Sequence, residues 1–117
     1  MKIALLDAHD ENYEYLARLS EPNRRQYCEK HGIDFVTYRF PVGSLKPAGR
    51  QPNWGRFQGL MKHLPDYDWI FYLDTDAIIV NMDLDFKSYI DDKFDLITTP
   101  LPEEAHLSTG SFFIKNC

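Results

Sequence analysis

Cysteine is scarce: Cys28 and Cys117 are the two in 117 residues. Two thiols build no disulfide framework and no repeated metal-ligand spacing, so the expected setting is the cytoplasm or another reducing compartment. Long hydrophobic runs are missing as well. Met1-Lys2-Ile3-Ala4-Leu5-Leu6 meets Asp7 before a signal-peptide core could form. No run approaches the ~20 apolar residues that cross a bilayer, so no membrane span is expected. Basic charge is in deficit: 13 Lys and Arg face 18 Asp and Glu, a net charge of −5. That balance is the reverse of a generic nucleic-acid binder. Internal repeats and composition shifts are lacking too, and residues 1–117 are expected to form a single domain. What the chain does have is 44% hydrophobic and 15% aromatic residues, enough for a core without staples and too much for disorder.

The apolar pattern alternates between two periods. Residues 2–6 read as a buried strand, with Asp7, Ala8, His9 and Asp10 as the loop that follows it. Residues 12–19 suit a helix with Tyr13 and Leu16, and Tyr15 or Leu19, on one face. A second helix is expected from Ser20 as cap and Pro22 in its first turn, through residues 24–30, to Gly32 as a left-handed C-cap. Residues 34–40 alternate as a strand. Residues 41–53 hold Pro41, Gly43, Pro47, Gly49 and Pro52 with Lys46 and Arg50, a long basic loop of either functional or merely surface character. Residues 54–64 space Trp54, Phe57, Leu60, Met61 and Leu64 at three and four, as a helix does. Trp69-Ile70-Phe71-Tyr72-Leu73 is apolar at every position, as a central parallel strand buried on both faces is. The strand is expected to resume at residues 77–80, a short helix to cover 84–90, and further strands 94–98 and 110–114. The order β-α-α-β-loop-α-β-α-β-β predicts an α/β fold with a mainly parallel central sheet flanked by helices. In such sheets ligands sit beyond the carboxyl ends of the strands. Adjacent, parallel first and central strands would therefore put Asp7 to Asp10 and Asp74 to Asp76 on one rim.

Asp74 and Asp76 follow the apolar strand two residues apart. In an extended segment such side chains share one side, and two carboxylates make a hard oxygen site suited to Mn²⁺ or Mg²⁺. A diphosphate and two carboxylates repel unless a divalent cation lies between them, and that cation also acts as a Lewis acid. The competing reading is an aspartate turn that caps the next segment. Two charges set into otherwise apolar sequence carry a desolvation cost that a mere turn does not require.

The stretch Asp68-Trp69-Ile70-Phe71-Tyr72-Leu73-Asp74-Thr75-Asp76-Ala77-Ile78-Ile79 resembles the Asp-x-Asp segment of GT-A glycosyltransferases, closest to glycosyltransferase family 34. Three other stretches agree in family order. Residues 23–32, with Asn23, Tyr27, His31 and Gly32, resemble the family's "N-x-x-x-Y…H-G-Y" helix. Trp54-Gly55-Arg56 sits at its Trp-x-Lys helix start. Leu107-Ser108-Thr109-Gly110-Ser111-Phe112-Phe113-Ile114-Lys115-Asn116 resembles "L-N-T-G-S-F-L-I-R-N". The resemblance implies a minimal, Rossmann-like GT-A fold and a metal-dependent, retaining transferase. Its donor is a nucleoside-diphosphate sugar, UDP favoured and GDP the alternative, and its acceptor a carbohydrate or glycoconjugate hydroxyl. Asp74 and Asp76 would flank Mn²⁺ or Mg²⁺, with Asp76 the direct ligand. Asp7, Ala8, His9 and Asp10 would line the base and ribose. Arg56, in place of the family's Lys, would approach the diphosphate. Thr75 would join the donor side, and Ser108, Thr109 and Gly110 would face the donor sugar or the acceptor, Ser108 replacing an Asn. The resemblance names no catalytic base. Family members continue past the last strand with a histidine metal ligand and acceptor-side acids, so a truncated version of the plan, or self-association to complete the site, is expected.

The remaining candidates have plainer roles. His9 reads as an exposed loop histidine, His31 as a helix C-terminal cation, His63 as a helix-end residue, and His106 as part of a mobile Pro102-Glu103-Glu104-Ala105 loop. Cys28 reads as a small buried hydrophobe, Trp54 and Trp69 as core, and Lys46 and Arg50 as solvated charge. Two other functions stay open: a donor-binding module without turnover, and a haloacid-dehalogenase-like phosphatase in which Asp74 is the nucleophile and Asp76 the acid.

Overall fold

The strand Trp69–Leu73 lies at the centre of a five-stranded sheet in the computed structural model, which describes residues 1–100 and 107–117. Among those residues the elements are β1 (Ile3–Asp10), α1 (Glu14–His31), β2 (Asp34–Phe40), α2 (Gly55–His63), β3 (Trp69–Leu73), β4 (Leu96–Pro100) and β5 (Leu107–Lys115). The order across the sheet is β2-β1-β3-β5-β4. β1 pairs in parallel with both β2 and β3, while β5 runs antiparallel to β3 and β4. Four strands thus point one way and β5 runs against them.

Strand alternation divides the core between two faces. Ile3, Leu5 and Trp69 pack with Tyr27 and Cys28 of α1 on one side. Ala4, Leu6, Ile70 and Tyr72 pack with Leu60 of α2 on the other. α1 ends at Gly32, whose φ of 66° is the expected left-handed cap.

Several expectations are corrected. β1 does not stop at Leu6: Asp7 to Asp10 continue the strand opposite Thr37 to Phe40 of β2. Those polar residues stay in the strand because their side chains find partners inside the fold. The two helices expected on either side of Ser20 are one, with Pro22 in its interior. Ser20 caps nothing and donates to the Ala17 carbonyl. Its buried face is Ala17, Ser20, Arg24, Tyr27 and Cys28, while Tyr13, Tyr15 and Leu19 are exposed. That face mixes core residues, Ala17, Tyr27 and Cys28, with the buried Arg24, which anchors it by hydrogen bonds. On α2 the buried residues are Gly55, Arg56, Gly59 and Leu60, and Trp54, Phe57 and Met61 face outward. Trp54 is therefore no core residue; Arg50 lies 4.5 Å over its ring. Residues 77–80 form no strand, and 84–90 contain a single 3₁₀ turn, Phe86–Tyr89.

Candidate functional site

The parallel neighbours β1 and β3 bring Asp7 to Asp10 and the Asp74-Thr75-Asp76 triplet to the same rim. The triplet is not extended. Asp74 leaves β3, and the Ala77 amide donates back to the Asp74 carbonyl at 3.1 Å, closing a tight turn. The turn is pinned to β5 by the Asp74 amide, which donates to the Gly110 carbonyl at 2.8 Å. It is pinned to β1 by the Thr75 hydroxyl, which donates to the Asp7 carboxylate.

A cavity of about 450 Å³ opens at this rim. Ala8, His9, Asp10, Arg56, Asp74, Thr75 and Asp76 line it, with Tyr13, Phe40, Asn53 and Tyr72. Arg56 is buried in the first turn of α2. Its Nε donates to the Asn53 carbonyl at 2.7 Å, Nη1 donates to the Thr109 carbonyl, and Nη2 stands 3.6 Å from the Asp74 carboxylate. Burial pushes the Asp74 carboxyl above the usual carboxylate range; Asp76 adds to this, and Arg56 and Tyr72 oppose it. Burial, then the Asp74 charge, likewise pushes the Tyr72 phenol up. Three acids, Asp10, Asp74 and Asp76, in one partly desolvated cavity favour the arrival of positive charge.

The other expected residues take different places. Asp7 lies outside the cavity lining. Its carboxylate is committed to Thr75, to His9 Nδ1 at 2.6 Å and to Arg24 at 3.8 Å. Ser108, Thr109 and Gly110 are also outside the lining. Thr109 holds Arg56 through its carbonyl, and Gly110 backs Asp74, where a Cβ would stand 2.7 Å from Oδ2. His9 is no exposed loop residue. It is 2% exposed, since β1 runs through it, and it bridges Asp7 and Glu14, each at 2.6 Å. His31 ends α1, with Nε2 2.7 Å from the Met82 carbonyl. His63 ends α2, and burial lowers its pKa. Cys28 is buried, its thiol pushed up to about 12 by desolvation. His106 and its neighbours lie outside the described residues.

Sequence reasoning expected Asp10 on this rim and missed one site residue, Arg24. Asp10 is 2% exposed; Oδ1 accepts from the Asn12 amide at 3.0 Å, and Oδ2 has no partner among the described residues. Arg24 is fully buried beneath the acidic turn. Asp10 ends β1 on the ligand rim, where the topological rule puts it. Arg24 carried no local signal. Among the described residues no group of three or more His, Cys, Asp or Glu converges on one metal-sized site. The donor set at the rim is two hard carboxylates, a chemistry that fits Mn²⁺ or Mg²⁺ completed by ligand oxygens and water.

The model of the galactosyl transferase GMA12/MNN10 family matches residues 3–105. An α-1,2-galactosyltransferase of Schizosaccharomyces pombe is 34% identical over 92 residues, 76% of this chain and 24% of its own. A probable xyloglucan 6-xylosyltransferase 3 of Arabidopsis thaliana is 28% identical over 105 residues, 84% of this chain and 23% of its own. The chain thus spans about a quarter of the length of these relatives. Among solved structures, a glycosyltransferase involved in glycosylation of the major capsid of PBCV-1 aligns with a TM-score of 0.72 at 22% identity, over 98% of this chain and 60% of its own. The galactosyltransferase LgtC, solved with donor and acceptor sugar analogues, aligns with a TM-score of 0.63 at 15% identity, over 96% and 57%. The fold is that of the GT-A glycosyltransferases.

Proposed function

Because the chain belongs to the galactosyl transferase GMA12/MNN10 family, we propose that it holds a nucleoside-diphosphate sugar, UDP-linked in preference to GDP-linked, for metal-dependent transfer of the sugar to a carbohydrate hydroxyl. The observation that carries this reading is the cavity at the carboxyl ends of β1 and β3, where Asp74, Asp76 and Arg56 converge. Asp74 and Asp76 would hold Mn²⁺ or Mg²⁺, which when bound neutralises diphosphate charge and acts as a Lewis acid. Arg56, fixed by two carbonyls, meets the diphosphate from the α2 side. Asp10 has a buried carboxylate oxygen without a partner among the described residues, an acceptor for a ligand N–H or O–H. The resemblance to family 34 supplies the stereochemical part, retention at the anomeric carbon, and no side chain is assigned as nucleophile.

Calorimetric titration with UDP-sugars and GDP-sugars, with and without Mn²⁺, tests the proposal. Binding that requires the metal and is lost in Asp76→Asn is expected. Absence of metal-dependent binding by any of them overturns it. A donor-binding module without turnover is the second reading. Sugar transfer by the purified chain would remove that second reading.

A further inference from the structure

The segment from Leu73 to Ile79 leaves the sheet and makes few main-chain hydrogen bonds of its own, so something else must satisfy its carbonyls. Two consecutive residues of α1 do so. Arg24 Nη1 donates to the Leu73 carbonyl at 3.0 Å, and Nη2 donates to the Asp74 carbonyl and, at 2.9 Å, to the Ala77 carbonyl. Asn23 closes the far end: its amide donates to the Ile79 carbonyl at 2.8 Å, and its oxygen accepts from the Ile79 N–H at 2.7 Å. The guanidinium is 0% exposed and carries its charge on the side of the turn away from solvent. Asp7, 3.8 Å away, is its ion-pair partner, and Asp7 in turn holds Thr75.

From these contacts we infer that Arg24, seconded by Asn23, is a positioning residue that sets the conformation of the acidic turn for metal and diphosphate binding. The inference rests on the donor-site reading above. Its physical basis is the planar fork. Arginine presents several N–H groups in fixed directions, so it can hold three carbonyls in one arrangement, which a lysine ammonium cannot do in the same geometry. In a trans peptide the C=O and N–H point opposite ways, and no cis bond occurs among the described residues. Carbonyls of Leu73 and Asp74 turned toward Arg24 therefore turn the Asp74 and Thr75 N–H groups away from it. The Asp74 N–H meets Gly110, which fixes the direction of the Asp74 side chain. The buried cation also balances Asp7, Asp74 and Asp76, letting two acids share the rim before a metal arrives.

The test is UDP binding by Arg24→Lys and by Asn23→Ala, each with and without Mn²⁺, beside thermal melting. Arg24→Lys should weaken Mn²⁺-dependent UDP binding by about tenfold or more, as loss of an outer contact to a metal-binding group does. Metal-free UDP binding should stay within about twofold, and Asn23→Ala should show the same pattern more weakly. A merely structural arginine would lower the melting temperature and leave the metal-dependent gain intact, and that result overturns the inference. Should wild type itself show no Mn²⁺-dependent UDP binding, the donor-site reading fails and the positioning role falls with it. Should Arg24→Lys not fold, the unaltered chain decides by nitrogen-15 NMR. Slowly exchanging Arg24 guanidinium signals that shift when Mg²⁺ and UDP are added are expected; signals indifferent to both refute the role.

Discussion

Replacing Gly110 by alanine separates the candidate site from the fold. Gly110 lies in β5 and is not among the glycines with positive φ, so its backbone accepts a side chain without strain. An added Cβ would stand 2.7 Å from Asp74 Oδ2, 3.5 Å from its Cγ and 3.8 Å from Ser108 Oγ. Ordinary contact begins near 3.4 Å, so the carboxylate oxygen must retreat by about 0.7 Å. That oxygen is the end of a rotatable side chain, and moving it costs the fold little. Alanine in a strand also gains ~0.5–1 kcal/mol over glycine from the unfolded state, so the melting temperature should hold or rise. Metal ligation is far less forgiving, with tolerances of about ±0.2 Å. Gly110→Ala should therefore weaken Mn²⁺-dependent UDP binding at least tenfold, ~1.4 kcal/mol, in calorimetry of a chain that melts no lower than wild type. Equal UDP affinity in the presence of Mn²⁺ would refute the reasoning, because Asp74 would then not sit where metal and diphosphate meet.

Gly55→Ala should act on stability instead. Its Cβ would stand 2.7 Å from Phe40 Cδ1 and closer still to two further ring atoms, so the buried Phe40 ring or α2 must shift at ~1–3 kcal/mol; an unchanged melting temperature would contradict that close approach. Gly59→Ala meets Tyr38 Cβ at 3.1 Å, and helix propensity returns ~1 kcal/mol, so near-neutral stability is expected from the same melts. Pro22→Ala restores a helical N–H inside α1 and should raise the melting temperature by an amount worth up to ~3 kcal/mol; a fall would mean that the ring is held by packing. Glu14 is held by Arg39 and His9 well below its ordinary 4.5, at about 2. A depressed acid stabilises fully above its unfolded pKa and loses that contribution as pH falls through its folded one. In urea denaturation wild type should exceed Glu14→Gln at neutral pH, and the gap should close between pH 4.5 and about 2; a gap constant across that range would falsify the pairing.

Legibility in the sequence followed how local each cause was. β3 and β2 carry their signal within a few residues, one apolar throughout and one alternating, and both fall at their expected bounds. Gly32 ends α1 for a local reason, the left-handed cap. The shared rim of Asp7 to Asp10 and Asp74 to Asp76 follows from one topological rule, once β1 and β3 are neighbours. Where causes are distant, the reading failed. Polar residues 7–10 look like a loop until Thr75, Glu14 and Asn12 supply their partners. Pro22 looks like a helix start until Asn23 and Arg24 are seen gripping Ile79 and Asp74 across the fold. The buried face of α2 was misread because periodicity counts large apolar side chains. Gly55 and Gly59 bury there by having none, which lets Phe40 and Tyr38 approach.

The distribution of buried polar groups links these failures to function. Asp7, His9, Asp10, Ser20, Arg24, Arg56 and Thr75 are the buried polar residues among those described. Six of them, all but Ser20, line the cavity or contact the turn that carries Asp74 and Asp76. Burying charged groups is expensive, and well-packed apolar residues often serve stability as well or better. Elsewhere the core is built that way, with Leu5, Ile70, Trp69 and Phe113 and no charge between them. Polar burial gathered at one end of β1 and β3 therefore marks the place where stability was not the only requirement. The turn has to hold two acids in a fixed arrangement that neither a strand ladder nor a helix provides. The internal contacts of Arg24, Asp7 and Gly110 take over that task. Asp7 in the extension of β1 and Arg24 inside the unbroken α1 both reach that turn, so two of the departures from the sequence pattern adjoin the candidate site.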